Sequence, residues 1–193
     1  MWSPPGLSSP SERACDGVTP SLRTQRLKLT WLLAIPFLWL ARPTPPLLLV
    51  GFLIALPGLL LRAAAAGFIE KDRVLATSGP YARLRHPLYL GSFFLGMGLA
   101  VAGGRGVFLP FLIGFFALVY ARTIKAEEET LARLFGEAYE EYRIRVPALV
   151  PRIRSGAEGG FDLRLFLRNR EWEAGVGVLG GFALLWLKME WLG

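Results

Sequence analysis

The sequence predicts an all-α fold: a polytopic membrane bundle of about five spans with a helical cofactor pocket at its cytosolic face. Three observations lead there. Apolar residues make up 53% of the chain and charged residues 19%, where soluble domains carry about 25% charged residues. The apolar residues fall in long runs separated by short polar stretches. Lys and Arg gather on alternate connections between those runs. A chain of 193 residues still exposes much of its surface when folded, so lipid is the natural place for the apolar excess.

The elements follow in order. Residues 1–24, rich in Pro, Ser and Gly, read as a disordered cytosolic tail without the apolar core of a signal peptide. The lone Cys15 there excludes an intramolecular disulfide framework. Residues 25–193 form the membrane domain. Its first apolar run, Leu27 to Ala41, is bracketed by Lys28 and Arg42, and Pro43, Pro45 and Pro46 break the helix after it. The second run, Leu47 to Phe68, holds a single charge, Arg62. A polar stretch leads to the turn signal Ser78-Gly79-Pro80.

Leu88 to Ala121 decides the topology, being 34 residues with one charge, Arg105. As one helix it would measure about 51 Å, against a hydrocarbon core of about 30 Å. It must fold back, and Gly103-Gly104-Arg105-Gly106 supplies the turn between spans Leu88–Gly103 and Val107–Ala121. A separate amphipathic helix is expected over Arg122 to Arg145. Its apolar stripe is Leu131, Phe135, Tyr139, Tyr142 and Val146, and Pro147 and Pro151 end it. A basic amphipathic piece, Phe161 to Arg170, precedes a fifth apolar run, Ala174 to Leu187. The positive-inside rule places the N-terminal tail and the 122–170 region in the cytosol.

The net charge of +7 points to anionic lipid headgroups rather than nucleic acid, because the basic residues flank apolar segments. No metal-ligand spacing accompanies the single histidine. Gly175-Val-Gly-Val-Leu-Gly180 matches a dinucleotide fingerprint in letters only, since it lies in an apolar helical run with no preceding strand. Small residues there serve helix packing.

The fold-back brings two motif clusters to one membrane face. Tyr81 and Arg85-His86-Pro87-Leu88-Tyr89-Leu90-Gly91 stand at the entry of the third span. Arg122, Glu127-Glu128-Glu129, Tyr139 and Tyr142 follow the fourth. Carboxylates suit the ammonium and ribose hydroxyls of a charged adenosyl cofactor such as S-adenosylmethionine. His or Arg suits its carboxylate, and Tyr rings suit adenine or a sulfonium cation. Each residue taken singly also has a structural reading: a helix cap for His86, a solvated face for the glutamates, an interfacial belt for the tyrosines, helix packing for Gly91.

RHPLYLG, EEETLARLFGEAYEEY and VPALVP resemble the isoprenylcysteine carboxyl methyltransferases and the related phospholipid methyltransferases, over about residues 76–151. The resemblance implies an integral membrane enzyme, in the plasma or inner membrane if bacterial. It implies a cytosol-facing S-adenosylmethionine site and a lipophilic acceptor (carboxylate, thiol or amine) entering from the bilayer. It implies that His86, Tyr89, Glu127 and Glu128 hold the cofactor, that Tyr139 and Tyr142 line or pack the pocket, and that Arg122 stands near the acceptor; Tyr81, Arg85 and Gly91 join the cofactor pocket from their place in the same motif cluster, and Glu127 joins Arg122 as a catalytic candidate. Two rival readings are a membrane reductase resembling the sterol and steroid reductases, using reduced nicotinamide cofactor, and a non-enzymatic membrane scaffold.

Overall fold

The computed structural model describes residues 34–70, 74–152 and 160–192. The expected tail, Cys15, Lys28 and the start of the first apolar run lie outside the described residues. The chain divides at Leu40. Before it, residues 34–39 are helical, with Ile35 and Trp39 exposed. From Leu40 on, the elements are α1 (Pro45–Ala66), a 3-10 turn (Gly79–Ala82), α2 (Pro87–Ala102), α3 (Phe108–Phe135), α4 (Glu137–Arg145), α5 (Leu163–Arg168) and α6 (Trp172–Leu192). No strand occurs among the described residues.

Prolines start the helices where the sequence places them. Pro45 follows the extended Thr44 and opens α1, and Pro87 opens α2 after the non-helical His86. Proline is tolerated there because the first-turn N–H has no intrahelical acceptor anyway. Two helices, Pro45–Ala66 and Phe108–Phe135, are long and apolar enough to cross a membrane, and Pro87–Ala102 is a shorter apolar helix. The exposed side chains of these helices include Leu49, Leu53, Leu60, Phe111, Ile113 and Leu118. Such a surface suits lipid, not water.

Among the described residues α1 and α2 form the tightest pair, and small residues make the approach possible. A Cβ added to Gly98 would fall against the carbonyl oxygen of Gly51 and the methyl of Ala55. One on Gly58 would fall against the carbonyl of Gly91. Gly51, Ala55 and Gly58 recur at steps of four and three, as do Gly91, Leu95, Gly98 and Ala102. That pattern lets two backbones meet where hydrophobic transfer gives no drive and contact must. α6 packs on both, with Gly175 facing Leu59 and Gly181 facing Leu99.

The fold-back between α2 and α3 is present. Gly104 has φ +69, and the Arg42 amide donates to the Gly103 carbonyl at 2.8 Å. The expected helix break near residue 122 is not. α3 runs on for 28 residues, because the switch from apolar to charged side chains at Arg122 changes the solvent and leaves helix-forming residues throughout. The break comes at Gly136, with φ +52 and ψ −127. α4 begins at the next residue, Glu137. Leu131 and Phe135 of α3 nevertheless join Tyr139, Tyr142 and Val146 in one cluster, with Leu75 added from the loop before the 3-10 turn.

Candidate active site

The RHP loop is fixed by backbone before any side chain acts. The amides of Arg85 and His86 donate to the carbonyls of Pro147 and Ala148 at 2.9 and 3.1 Å, and the Arg152 amide donates to Arg83 at 3.0 Å. The VPALVP segment is thus a strap laid along residues 83–86. Below it the Tyr142 hydroxyl donates to the Tyr81 carbonyl at 2.8 Å. Tyr139 and Tyr142 are both buried.

His86 occupies the N-cap position of α2, but its side chain makes no cap bond. Buried at 4% exposure, it turns instead towards α3. Its Nε2 lies 3.1 Å from Oε1 of Glu128, and its Nδ1 lies 3.9 Å from Oε2 of Glu127. Arg85 reaches the same Glu128 oxygen at 2.7 Å and the Tyr139 hydroxyl at 3.4 Å. One turn into α2, the Tyr89 hydroxyl donates to Oε2 of Glu127 at 2.6 Å. Tyr120 of α3 meets the Tyr89 ring edge to face, with centroids 5.1 Å apart. Residues some forty positions apart in sequence therefore share one network.

Two carboxylates here face one guanidinium. Arg85 pairs with Glu128, while among the described residues Glu127 meets the Tyr89 phenol and, at 3.9 Å, an imidazole nitrogen, with its side chain 40% exposed. Such a site suits a cation. Burial is the main cause that pushes the phenols of Tyr81, Tyr139 and Tyr142 above their ordinary range. The charge of Glu127 adds to the effect on Tyr81, and that of Glu128 adds to it on Tyr139, where Arg85 opposes it. All three are hydroxyl donors at neutral pH.

Of the residues singled out from sequence, the structure brings together Arg85, His86, Tyr89, Glu127, Glu128 and Tyr139. Tyr142 and Tyr81 support them from behind the loop. Gly91 is elsewhere. It faces α1, where a Cβ would meet the Arg62 side chain and the Gly58 carbonyl, so the geometry gives it the packing role. Arg122 is exposed on α3. At 100° per residue it points about 120–140° away from Glu127 and Glu128 around the helix.

Sequence reasoning passed over Arg62, Ser92, Asn169 and Glu171. Arg62 donates to the Leu88 carbonyl at 3.2 Å, to Ser92 Oγ, and to Glu171, with which it forms an ion pair. The Asn169 amide donates to the carbonyls of Ala66 and Ile69 at 2.9 and 3.0 Å, closing the end of α1. The available signal was Arg62 itself. A lone charge inside an apolar run is expensive unless it has a partner and a purpose.

Residues 60–138 match the family model for phospholipid methyltransferases. That segment holds His86, Tyr89 and both site glutamates. The chain is also 39% identical over 88 residues to a protein-S-isoprenylcysteine O-methyltransferase of Schizosaccharomyces pombe, covering 44% of this chain and 36% of that one. It is 37% identical over 81 residues to the human enzyme of that name, covering 42% and 28%. A nickel-cobalt-cadmium resistance protein of Alcaligenes xylosoxydans xylosoxydans is 37% identical over 84 residues, covering 44% and 39%. The chain thus spans less than half the length of these relatives. No solved structure matches it significantly. The methyltransferase match ends just before Tyr139 and Tyr142, so all but the first two residues of α4, the strap, α5 and α6 lie beyond it.

Proposed function

We propose that this chain transfers a methyl group from S-adenosylmethionine to a lipophilic, membrane-embedded acceptor, as the names of its isoprenylcysteine O-methyltransferase relatives suggest. The observation that carries this reading is the excess carboxylate of the His86–Glu128–Arg85 and Tyr89–Glu127 network. The residues fit a ligand with an ammonium, a sulfonium and a carboxylate: Glu127 and Glu128 for the ammonium, Arg85 or His86 for the carboxylate, and the Tyr89 ring beside the sulfonium. The bound donor supplies an electrophilic methyl carbon. The protein's share is alignment, because an in-line displacement gains most from fixed geometry. The buried His86 and the strapped loop hold that geometry.

The apolar exterior supports a bundle of about five spans with the network on the cytosolic side and basic connections near anionic headgroups. Isothermal titration of S-adenosylmethionine into the purified protein tests the donor site. His86→Ala and Glu128→Gln should each weaken binding about tenfold or more. Unchanged affinity in both would refute it. A melting shift with NADPH and none with S-adenosylmethionine would favour a reductase instead.

A further inference from the structure

The chain continues past the methyltransferase match through α5, the turn Asn169-Arg170-Glu171 and α6. Two side chains of that turn reach back to residues inside the match. The Asn169 amide donates to the carbonyls of Ala66 and Ile69, and Glu171 pairs with Arg62. Both therefore act on the end of α1. In a continuous helix, residues two apart point about 200° away from each other. Arg170 stands between them with φ +54, the one positive φ outside glycine among the described residues. This left-handed residue turns Asn169 and Glu171 towards the same neighbour. A non-glycine residue held in that conformation stores strain that the surrounding contacts must outweigh.

The ion pair itself is a poor source of stability. Arg62 and Glu171 are 17% and 10% exposed, so desolvation offsets much of their attraction, and apolar side chains of similar volume often serve as well. A charge in an apolar helix calls for another use. That use lies at the far end of the guanidinium. Nη2 goes to Glu171, whereas Nη1 goes to the Leu88 carbonyl at 3.2 Å and to Ser92 Oγ. The fork is planar, so a carboxylate that fixes one nitrogen aims the other. The Ser92 hydroxyl donates to the same carbonyl at 2.8 Å. The Leu88 carbonyl belongs to the rigid peptide unit that carries the Tyr89 nitrogen. The Tyr89 hydroxyl in turn donates to Glu127. A continuous line of contacts thus runs from Glu171 through Arg62 and the Leu88–Tyr89 peptide to Glu127.

We infer that Glu171 is a positioning residue: through Arg62 it sets the Leu88–Tyr89 peptide, and with it the Tyr89 ring and hydroxyl beside the donor site, while Asn169 holds the turn against α1. The segment beyond the family match thereby tunes the site inside it. This deepens the methyltransferase reading and rests on it for the donor. The effect on Tyr89 rests on contacts present in the free protein.

The test uses the purified full chain in detergent micelles, with three readouts: titration of S-adenosylmethionine, thermal melting, and fluorine NMR of protein carrying fluorotyrosine at its five tyrosines. Tyr89→Phe assigns the Tyr89 resonance. Glu171→Gln should weaken S-adenosylmethionine about tenfold, lower the melting temperature and displace the Tyr89 resonance. Arg62→Met/Glu171→Met should regain the melting temperature, because apolar side chains replace a desolvated pair. It should still bind about tenfold more weakly than wild type, with the Tyr89 resonance displaced. Glu173→Gln, which breaks the exposed pair with Arg170, should match wild type in all three readouts. Affinity that returns with stability in the Met pair assigns Arg62 and Glu171 to folding and overturns the positioning role. So does a Met pair that melts no higher than Glu171→Gln, an unmoved Tyr89 resonance, or an equal loss in Glu173→Gln. If Glu171→Gln does not fold, the Met pair against wild type decides alone. Failure of wild type to bind S-adenosylmethionine refutes the methyltransferase reading, and the Tyr89 resonance still decides whether Glu171 positions that residue.

Discussion

Breaking the Arg85–Glu128 contact tests whether the two ends of the α2–α3 hairpin are energetically joined. The ion pair is 2.7 Å long, and both side chains are under a fifth exposed, at 12% and 18%. At an effective dielectric constant near 20, the gross attraction at that distance is about 6 kcal/mol. Desolvation removes much of it, and a buried pair typically leaves a strong penalty only when one partner is deleted. Glu128→Gln strands the guanidinium with only the long contact to Tyr139 at 3.4 Å, and should cost about 2–3 kcal/mol. Arg85→Met leaves Glu128 with His86 at 3.1 Å, and should cost somewhat less. The double variant removes both charges, so its cost should fall short of the sum by about 1–3 kcal/mol. Reversible unfolding in detergent, read by circular dichroism across the four proteins, gives that coupling. Additive costs within 0.5 kcal/mol or so would mean that the two groups do not meet, and the shared network would be lost with them.

Three further outcomes follow from single features. Gly98→Val forces a side chain into the Gly51 carbonyl and should cost more than about 3 kcal/mol, or abolish monodisperse elution on size exclusion. Gly177→Val, which meets open space, should elute and melt as wild type, and equal behaviour of the two would refute the close α1–α2 contact. Gly136→Ala also meets open space, so its cost of about 1–3 kcal/mol in thermal melts should come from φ +52 alone; a neutral result would mean that the break is not glycine-dependent. Absorbance at 295 nm should show Tyr81, Tyr139 and Tyr142 failing to ionise near the ordinary value of 10. Because burial penalises the charged phenolate, their contribution to stability is complete below pH 10 or so and is lost as pH rises through the raised values. Full ionisation of all tyrosines near pH 10 in the folded protein would contradict this.

Much of the site was legible because its constraints are local and categorical. Charge counting in Leu88–Ala121 forced a fold-back, and a fold-back forces Arg85-His86 and Glu127-Glu128 to one end. Stripe spacing found Leu131, Phe135, Tyr139, Tyr142 and Val146, which do pack together. The end of α3, the fourth expected span, was misread at Arg122, because a change from apolar to charged side chains marks a change of solvent, not of backbone. The true break at Gly136 needed a φ that sequence does not display. Gly91 was ambiguous for a similar reason, since a glycine's partner is decided by which neighbour comes close. Glu171 and Ser92 carried no pattern at all. Their importance depends on Arg62, and that pairing spans 109 residues for Glu171.

The two polar clusters share a logic that explains why they stand on opposite sides of α2. A helix presents one face to α1 and another to α3, and Leu88-Tyr89 straddles the divide. The Leu88 carbonyl and Ser92 take Arg62 from α1, whereas Tyr89 takes Glu127 from α3. The glycine seam that lets α1 approach also lets the Arg62 stem lie over Gly91. Replacing that seam would therefore separate the helices and displace the guanidinium together. The strap from Pro147 to Arg152 holds the other side, fixing Arg83, Arg85 and His86 by backbone bonds. The first turn of α2 is thus clamped from both directions, by close packing towards α1 and by hydrogen bonds towards α4. The proposed alignment of a methyl donor and its acceptor would need that rigidity more than any single contact.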